Sequence, residues 1–317
     1  MLQGLWYKGK IKLSNRIQAE SQFFVTTDDN PVLSRHRGVL GLGMPRLRQN
    51  KDWSLNIWEA LNHKQWDDEA FGFAIFPQAT AEQLGQGGVI TFGLACDQLV
   101  FTEKVHRVDI LVEPRPLLYR KRDVYGRMGY YNVWQYWMKG GGFIIGHNDG
   151  TGHTTEFEDK LKSFRHNVEP NQTVKPWSLD TGSAYIEITD HYVVERFWHG
   201  ISPPGRLKGR LFHVACNATV PRVTVYIGDT WKSDKSWHSW TLRPETLILN
   251  GPNGSCIAAM VKSREDFTIL GLPFFRNGYI NFNVNEGYYE LAPYILPQTA
   301  LDVQGMTYMN ADGKFVF

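Results

Sequence analysis

The segment Trp177-Ser178-Leu179-Asp180-Thr181-Gly182-Ser183 sets a carboxylate at the end of an apolar run and follows it with a hydroxyl, a glycine and a second hydroxyl. That order has a chemical use. A chain leaving a strand can turn tightly at Gly182, because glycine accepts backbone geometries that a Cβ forbids. Backbone N–H groups of the turn, and the Thr181 or Ser183 hydroxyl, can then fix the Asp180 carboxylate by hydrogen bonds. A carboxylate held in this way can act as general base on a water molecule. A tripeptide of this kind also recurs by chance as a solvated turn or helix cap, so its surroundings must decide.

Other residues that could do chemistry are less organised. Ser183 lacks the Gly-x-Ser-x-Gly elbow of a serine nucleophile, and its hydroxyl is expected to orient Asp180. His147, His153, Asp149 and Glu156 share one polar stretch, but structural zinc sites use tighter spacing and sulfur ligands; no metal site is expected. Gly140-Gly141-Gly142 has no helix signal behind it, so it reads as a hairpin turn rather than a phosphate cradle. Tyr130, Tyr131, Trp134, Tyr136 and Trp137 alternate faces at strand spacing, which assigns half of them to a core. The cysteines are Cys96, Cys216 and Cys256. A bridge from Cys216 to Cys256 would be worth about 4 kcal/mol in the chain-entropy model and would leave Cys96 over. The sequons Asn171-Gln172-Thr173, Asn217-Ala218-Thr219 and Asn253-Gly254-Ser255 are acceptors for N-glycosylation in a secretory compartment, and with the cysteine pair they lean towards an oxidising environment.

The elements that must position these groups are mostly strands. The chain has 317 residues, 42% hydrophobic and 14% aromatic, enough for a sizeable core. Its net charge of +2 gives no reason to expect nucleic acid or an acidic membrane as partner. No stretch is long and apolar enough to span a bilayer, and Met1–Lys8 has neither the apolar region nor the cleavage site of a signal peptide. Short strands are expected at Leu5–Tyr7, Lys10–Leu13, Ser21–Val25, Gly38–Gly43, Phe71–Phe76, Gly87–Gly93 and Val108–Val112. Further strands are expected at Ala184–Thr189, Leu211–Ala215, Val223–Ile227, Thr246–Leu249, Phe267–Leu270 and Tyr279–Val284. Helical periodicity marks residues 52–66 and His191–Trp198. Residues 146–176 are polar and read as a long loop with a short helix near Glu156–Phe164. Residues 293–317 lack periodicity. Few helices among many short strands describe a mostly β fold.

The order of these landmarks resembles the pepsin-like aspartic protease family along nearly the whole chain. Gly38-Val39-Leu40-Gly41-Leu42-Gly43-Met44-Pro45 resembles the strand that closes the psi-shaped loop of the family's N-terminal lobe. Trp53–His63, Phe71–Ile75 and Gly87–Gly93 with Asp97 resemble the remaining helix and strands of that lobe. Gly129–Val133 looks like the first motif of the C-terminal lobe, and Asp180-Thr181-Gly182-Ser183 falls where that lobe's catalytic aspartate belongs. Cys216 and Cys256 match the family's C-lobe disulfide. Phe267–Arg276 resembles the matching psi strand, and Tyr279–Pro293 the closing strands. The resemblance implies a bilobal acid protease fold: residues 1–97 as the remnant of an N-terminal lobe after its flap, 98–292 as an essentially complete C-terminal lobe with an insertion at 146–176, and 293–317 as an extension.

The same resemblance implies a monomer without cofactor that acts on a peptide or protein in an interlobe cleft. It also implies secretion or delivery to a lysosome-like acidic compartment. The departures matter as much. The family's first Asp-Thr-Gly and its tyrosine flap lie upstream of the segment that Met1–Leu13 resembles, and no second Asp-Thr-Gly or Asp-Ser-Gly occurs. Arg37 and Leu272 stand where the family usually has aspartates. Aspartic proteolysis needs two carboxyl groups sharing one proton, and one carboxylate cannot be acid and base at once. The expectation is therefore either an enzyme whose N-terminal part lies outside this sequence, inactive as the chain stands, or a non-catalytic binding protein on the same fold.

Overall fold

The computed structural model describes residues 4–12, 18–26, 70–77, 87–92, 105–109, 118–122, 128–132, 136–146, 176–228, 237–251, 254–265, 267–283 and 288–292. The expected helices at 52–66 and 156–164, the psi strand at 38–45, Cys96, Asp97 and residues 293–317 lie outside them. The chain divides into two compact units, Met1–Glu69 and Ala70–Phe317. In the first, β1 (Gly4–Lys12) pairs antiparallel with β2 (Gln18–Thr26), from Gly4 opposite Thr26 to Lys12 opposite Gln18. The pieces expected at Leu5–Tyr7 and Lys10–Leu13 thus join into one strand: Lys8, Gly9 and Lys10 continue the ladder, since a polar residue on an open face does not break it.

The second unit is mostly β, with few helices. One antiparallel sheet has the order β4-β3-β19-β20-β5, where β3 is Ala70–Ile75, β4 Gly88–Phe92, β5 His106–Asp109, β19 Tyr279–Asn283 and β20 Tyr288–Ala292. Residues distant in sequence therefore share one ladder. Aromatic side chains hold it: Phe71 and Phe282 sit opposite each other and stack at 4.7 Å with planes 9° apart, while Phe73 meets Phe282 edge-on at 6.4 Å. Gly72 has a local reason. A Cβ there would lie 2.0 Å from the Tyr279 hydroxyl, which crosses the strand to reach Thr91 Oγ1 at 2.5 Å.

A seven-stranded sheet has the order β14-β13-β8-β9-β18-β10-β17. Its strands are β8 (Tyr136–Gly146), β9 (Pro176–Leu179), β10 (Ile186–Ile188), β13 (Arg222–Gly228), β14 (Trp237–Leu242), β17 (Met260–Lys262) and β18 (Thr268–Leu270). The glycine run at 140–142, expected as a hairpin turn, lies inside β8 instead. A Cβ on Gly140 would fall 2.0 Å from Trp177 Cε2, so the bare backbone is the surface on which the indole rests, and Phe143 stacks on the same ring at 4.8 Å. The ladder passes from Tyr226 opposite Gly142 to Ile227 opposite Gly140, which makes Gly141 the extra residue of a bulge.

A four-stranded sheet, β11-β12-β16-β15, comprises β11 (Arg206–Lys208), β12 (Leu211–Val214), β15 (Ile248–Asn250) and β16 (Cys256–Ala258). A hairpin pairs β6 (Leu118–Arg122) with β7 (Met128–Asn132). Helix α1 (His191–His199) starts where Asp190 caps it by accepting the Tyr192 N–H at 3.0 Å. It buries Val194, Phe197 and Trp198, the one-face spacing of an amphipathic helix. Trp198 stacks on Phe212 at 5.0 Å and donates its indole N–H to Met260 O at 2.9 Å. Among the described residues no helix is long and apolar enough to cross a membrane.

Candidate active site

Asp180 leaves the C-terminal end of β9. Trp177, Ser178 and Leu179 before it are buried at 7%, 0% and 4% exposure, so the strand is rooted in the sheet while Asp180 is half-buried and Thr181, Gly182 and Ala184 are exposed. The turn closes on its own backbone: the Ser183 N–H donates to Asp180 O at 3.2 Å. The Gly182 N–H donates to Asp180 Oδ1 at 2.8 Å. This is the expected backbone grip on the carboxylate. Among the described residues no group bonds Oδ2.

The chain then returns as β10, and β18 runs between the two arms of the loop. β18 is parallel to β9, with Leu270 beside Leu179, and antiparallel to β10, with Leu270 beside Ile186. The Asp180 N–H donates to Leu270 O at 3.1 Å. One residue on, Gly271 passes so close to the turn that a Cβ would sit 2.2 Å from Tyr185 O and 2.4 Å from Ser183 O. Its φ of −91° is open to any residue; the glycine is there for close approach. Leu272 then donates its N–H to Ser183 O at 2.9 Å and starts the short helix α2 (Leu272–Phe275). The expected psi-shaped crossing of Phe267–Arg276 against the Asp180 loop is thus present, fastened from both sides by main-chain hydrogen bonds.

One expectation is corrected. The Ser183 hydroxyl does not orient Asp180. It donates to Tyr185 O at 3.0 Å, lies 3.4 Å from Glu187 Oε1 and accepts the Tyr185 N–H at 3.3 Å. The N–H two residues on is the nearest donor to a serine in a turn, so the side chain closes the loop locally and its backbone supports Asp180. Thr181 is exposed, and its hydroxyl makes no bond among the described residues.

Sequence reasoning missed three supporting residues. Arg210 Nη2 lies 2.9 Å from Glu187 Oε2, off the direction needed for a hydrogen bond, with its guanidinium 5.9 Å from the centre of the Tyr185 ring. This places an ion pair behind the turn. Asn277, 7% exposed, accepts the Arg243 N–H at 2.6 Å and donates to Thr246 Oγ1 at 3.0 Å and to Pro273 O at 2.6 Å. It ties the end of α2 to the turn before β15. An isolated Glu, Arg or Asn carries no spacing signal, so only tertiary contact reveals these roles.

Cys216 and Cys256 form a disulfide, S–S 2.10 Å. Asn217 lies in an exposed turn beside it. Asn171, Asn253, His147 and His153 lie outside the described residues, and among those described no group of His, Cys, Asp and Glu is arranged to hold a metal ion.

A carboxylate gripped by its own turn, with a strand threaded between the arms of that turn, is the arrangement of one lobe of an acid protease. Residues 154–294 match the family model of the eukaryotic aspartyl proteases, so this part of the chain is similar to the pepsin-like aspartic proteases. The match takes in Asp180, α1, the disulfide and the psi crossing, together with residues 154–176. It begins after the segments that resemble an N-terminal lobe. No curated protein matches the sequence significantly.

Proposed function

We propose that this chain supplies one carboxylate, Asp180, of an aspartic endopeptidase that hydrolyses peptide bonds with an activated water. The supporting observation is the Asp180 turn itself, in which Gly182 holds Oδ1 and no group among the described residues bonds Oδ2. In the full reaction two carboxyl groups share one proton. The ionised group takes a proton from water as the water oxygen attacks the scissile carbonyl carbon, and the protonated group gives its proton to the carbonyl oxygen. Collapse of the tetrahedral adduct sends a proton to the leaving amine. The second carboxyl must come from another Asp-Thr-Gly, and this sequence holds one. The substrate is a peptide or protein. Secretion or an acidic lysosome-like compartment accords with the disulfide.

The 317-residue polypeptide is expected to show no turnover of a fluorogenic peptide at acid pH. Reading the coding sequence in frame upstream of Met1 tests the rest. Where a second Asp-Thr-Gly precedes the chain, the extended protein is expected to cleave peptide, and Asp180→Asn is expected to lower kcat by ~10²–10⁴-fold. Turnover by the 317-residue polypeptide that disappears with Asp180→Asn would sink the half-site reading. Activity of the extended protein that survives the substitution would sink the role of Asp180.

A second reading, a binding protein that keeps the fold and has lost the chemistry, draws on Leu272. Its N–H is bonded to Ser183 O within the loop, and it puts an apolar side chain where the family usually has an aspartate. An upstream stop codon or an altered triplet would favour this reading.

A further inference from the structure

Both halves of the disulfide abut a glycosylation triplet. Asn217-Ala218-Thr219 follows Cys216 directly, and Asn253-Gly254-Ser255 runs directly into Cys256. The triplets are far apart in sequence, yet the bridge brings their flanks together: Cys216 Sγ lies 3.5 Å from Gly254 O. The two cysteines differ in environment. Cys256 is buried in β16 at 1% exposure, whereas Cys216 is exposed. The Ala218 N–H donates to Ala215 O at 3.0 Å, which makes Cys216 and Asn217 the two central residues of a tight turn, with both side chains at the surface.

The rest of the triplet is fixed. The Thr219 N–H and Oγ1 both donate to Ser202 O, at 2.8 Å and 3.2 Å, so a group attached to Asn217 leaves from a rigid stem. Across the bridge, Gly254 is exposed with φ +69°, and a Cβ placed there would meet nothing within 4 Å. Asn217 is itself exposed, so a bulky polar group on it has solvent to occupy.

We propose that Asn217 is a site of N-glycosylation and that its oligosaccharide covers the Cys216 side of the disulfide. In the transfer, the Asn217 amide nitrogen bonds to the anomeric carbon of a polyprenyl-diphosphate-linked oligosaccharide, losing one proton as the diphosphate leaves. The consequence is kinetic. Thiol–disulfide exchange requires an attacking thiolate to reach a sulfur, and of the two cysteines Cys216 is the exposed one. The inference is independent of any catalytic role for Asp180.

The test uses the full chain behind a cleavable secretion signal in a eukaryotic secretory cell line, with Asn171→Gln and Asn253→Gln so that only Asn217 can carry sugar. Peptide N-glycosidase digestion in heavy-oxygen water, followed by peptide mass spectrometry of both the intracellular and the secreted pools, is expected to find the label at residue 217. Thr219→Ala is expected to abolish it. Sugar is added to the nascent chain, so this result does not depend on whether that variant folds. The glycosylated protein and its Asn217→Gln counterpart are then exposed to the same concentration of dithiothreitol, and the freed Cys216 and Cys256 are counted by alkylation. The sugar-bearing form is expected to be reduced severalfold more slowly. Absence of sugar at Asn217 in both pools overturns the site, and equal rates of reduction overturn the shielding.

Discussion

The Asp180 turn and the five-stranded sheet hold strands together with different materials. At the turn the fastening is main chain: Asp180 to Leu270, Ser183 to Asp180 and Leu272 to Ser183, with Gly271 admitting the close approach. In the sheet the strands are locked by ring on ring, with Phe71, Phe73, Phe282 and Tyr289 interleaved across β3, β19 and β20. The difference separates two jobs. Main-chain fastening leaves side chains free to face solvent, so Asp180 stays partly exposed. Aromatic interleaving commits side chains to the interior, and Phe71, Tyr279, Phe282 and Tyr289 are each no more than 2% exposed. Damage to the sheet should therefore register as lost stability, and damage at the turn as altered site geometry.

The largest effect on stability is expected in the sheet. Phe282→Ala removes a ring that stacks on Phe71 and meets Phe73 edge-on, and such truncations cost ~3–5 kcal/mol. Chemical denaturation would read it, and a loss below ~1 kcal/mol would mean that the aromatic lock is not what holds the sheet. Next comes Gly271→Ala. Its Cβ meets backbone oxygens that cannot rotate away, so overpacking is expected to cost about 1–3 kcal/mol. The amide resonances of residues 180–185 should shift with it, while those of β19 and β20 should not. Shifts spread over both regions would erase the distinction between them.

Ser178→Ala is a smaller probe with the opposite sign. Ser178 is fully buried one residue before Leu179, and its hydroxyl has no partner among the described residues. Removing it is expected to be neutral or stabilising, by up to about 1–3 kcal/mol, in a thermal melt. A clear destabilisation would reveal a bond through water that supports β9.

The last test concerns pH. His106 of β5 and His238 of β14 lie on the outer strands of the two larger sheets with rings 4.3 Å apart. Burial, and then repulsion from His238, holds the His106 pKa below its ordinary value of 6.5. The unfolded chain takes up this proton first as pH falls. The stabilisation is therefore complete above the ordinary histidine value and is lost as pH falls through the lowered one. Melting temperatures measured from about pH 7 to pH 5 should fall, and His238→Gln should flatten part of that fall. An unchanged slope would remove the ring pair as a cause of the fall.

Much of the site is legible in the residues alone. The Asp180 turn, the strand at Phe267–Leu270, the helix at His191–Trp198 and the cysteine pair all follow from local signals or from their order, because turns, caps and alternation are written in neighbouring residues. The strand interior at Gly140–Gly142 is not legible in this way. A glycine run signals a turn unless something large lies on it, and Trp177 is many residues away. The Ser183 hydroxyl is misread for a related reason, since its partners are fixed by the path of the turn and not by the residue types alone.

Residue types and their order settle which groups could do chemistry and in what succession the strands come. Asp180, Gly182 and Gly271 are chemical facts of the chain. Folding in three dimensions settles that β18 passes between the arms of the Asp180 loop, that β3 and β4 share a sheet with β19 and β20, and that Cys216 and Gly254, remote in sequence, meet at one disulfide. Each is a pairing across a long loop. Such pairings are chosen by which distant faces bury one another, and no short stretch of sequence contains both faces.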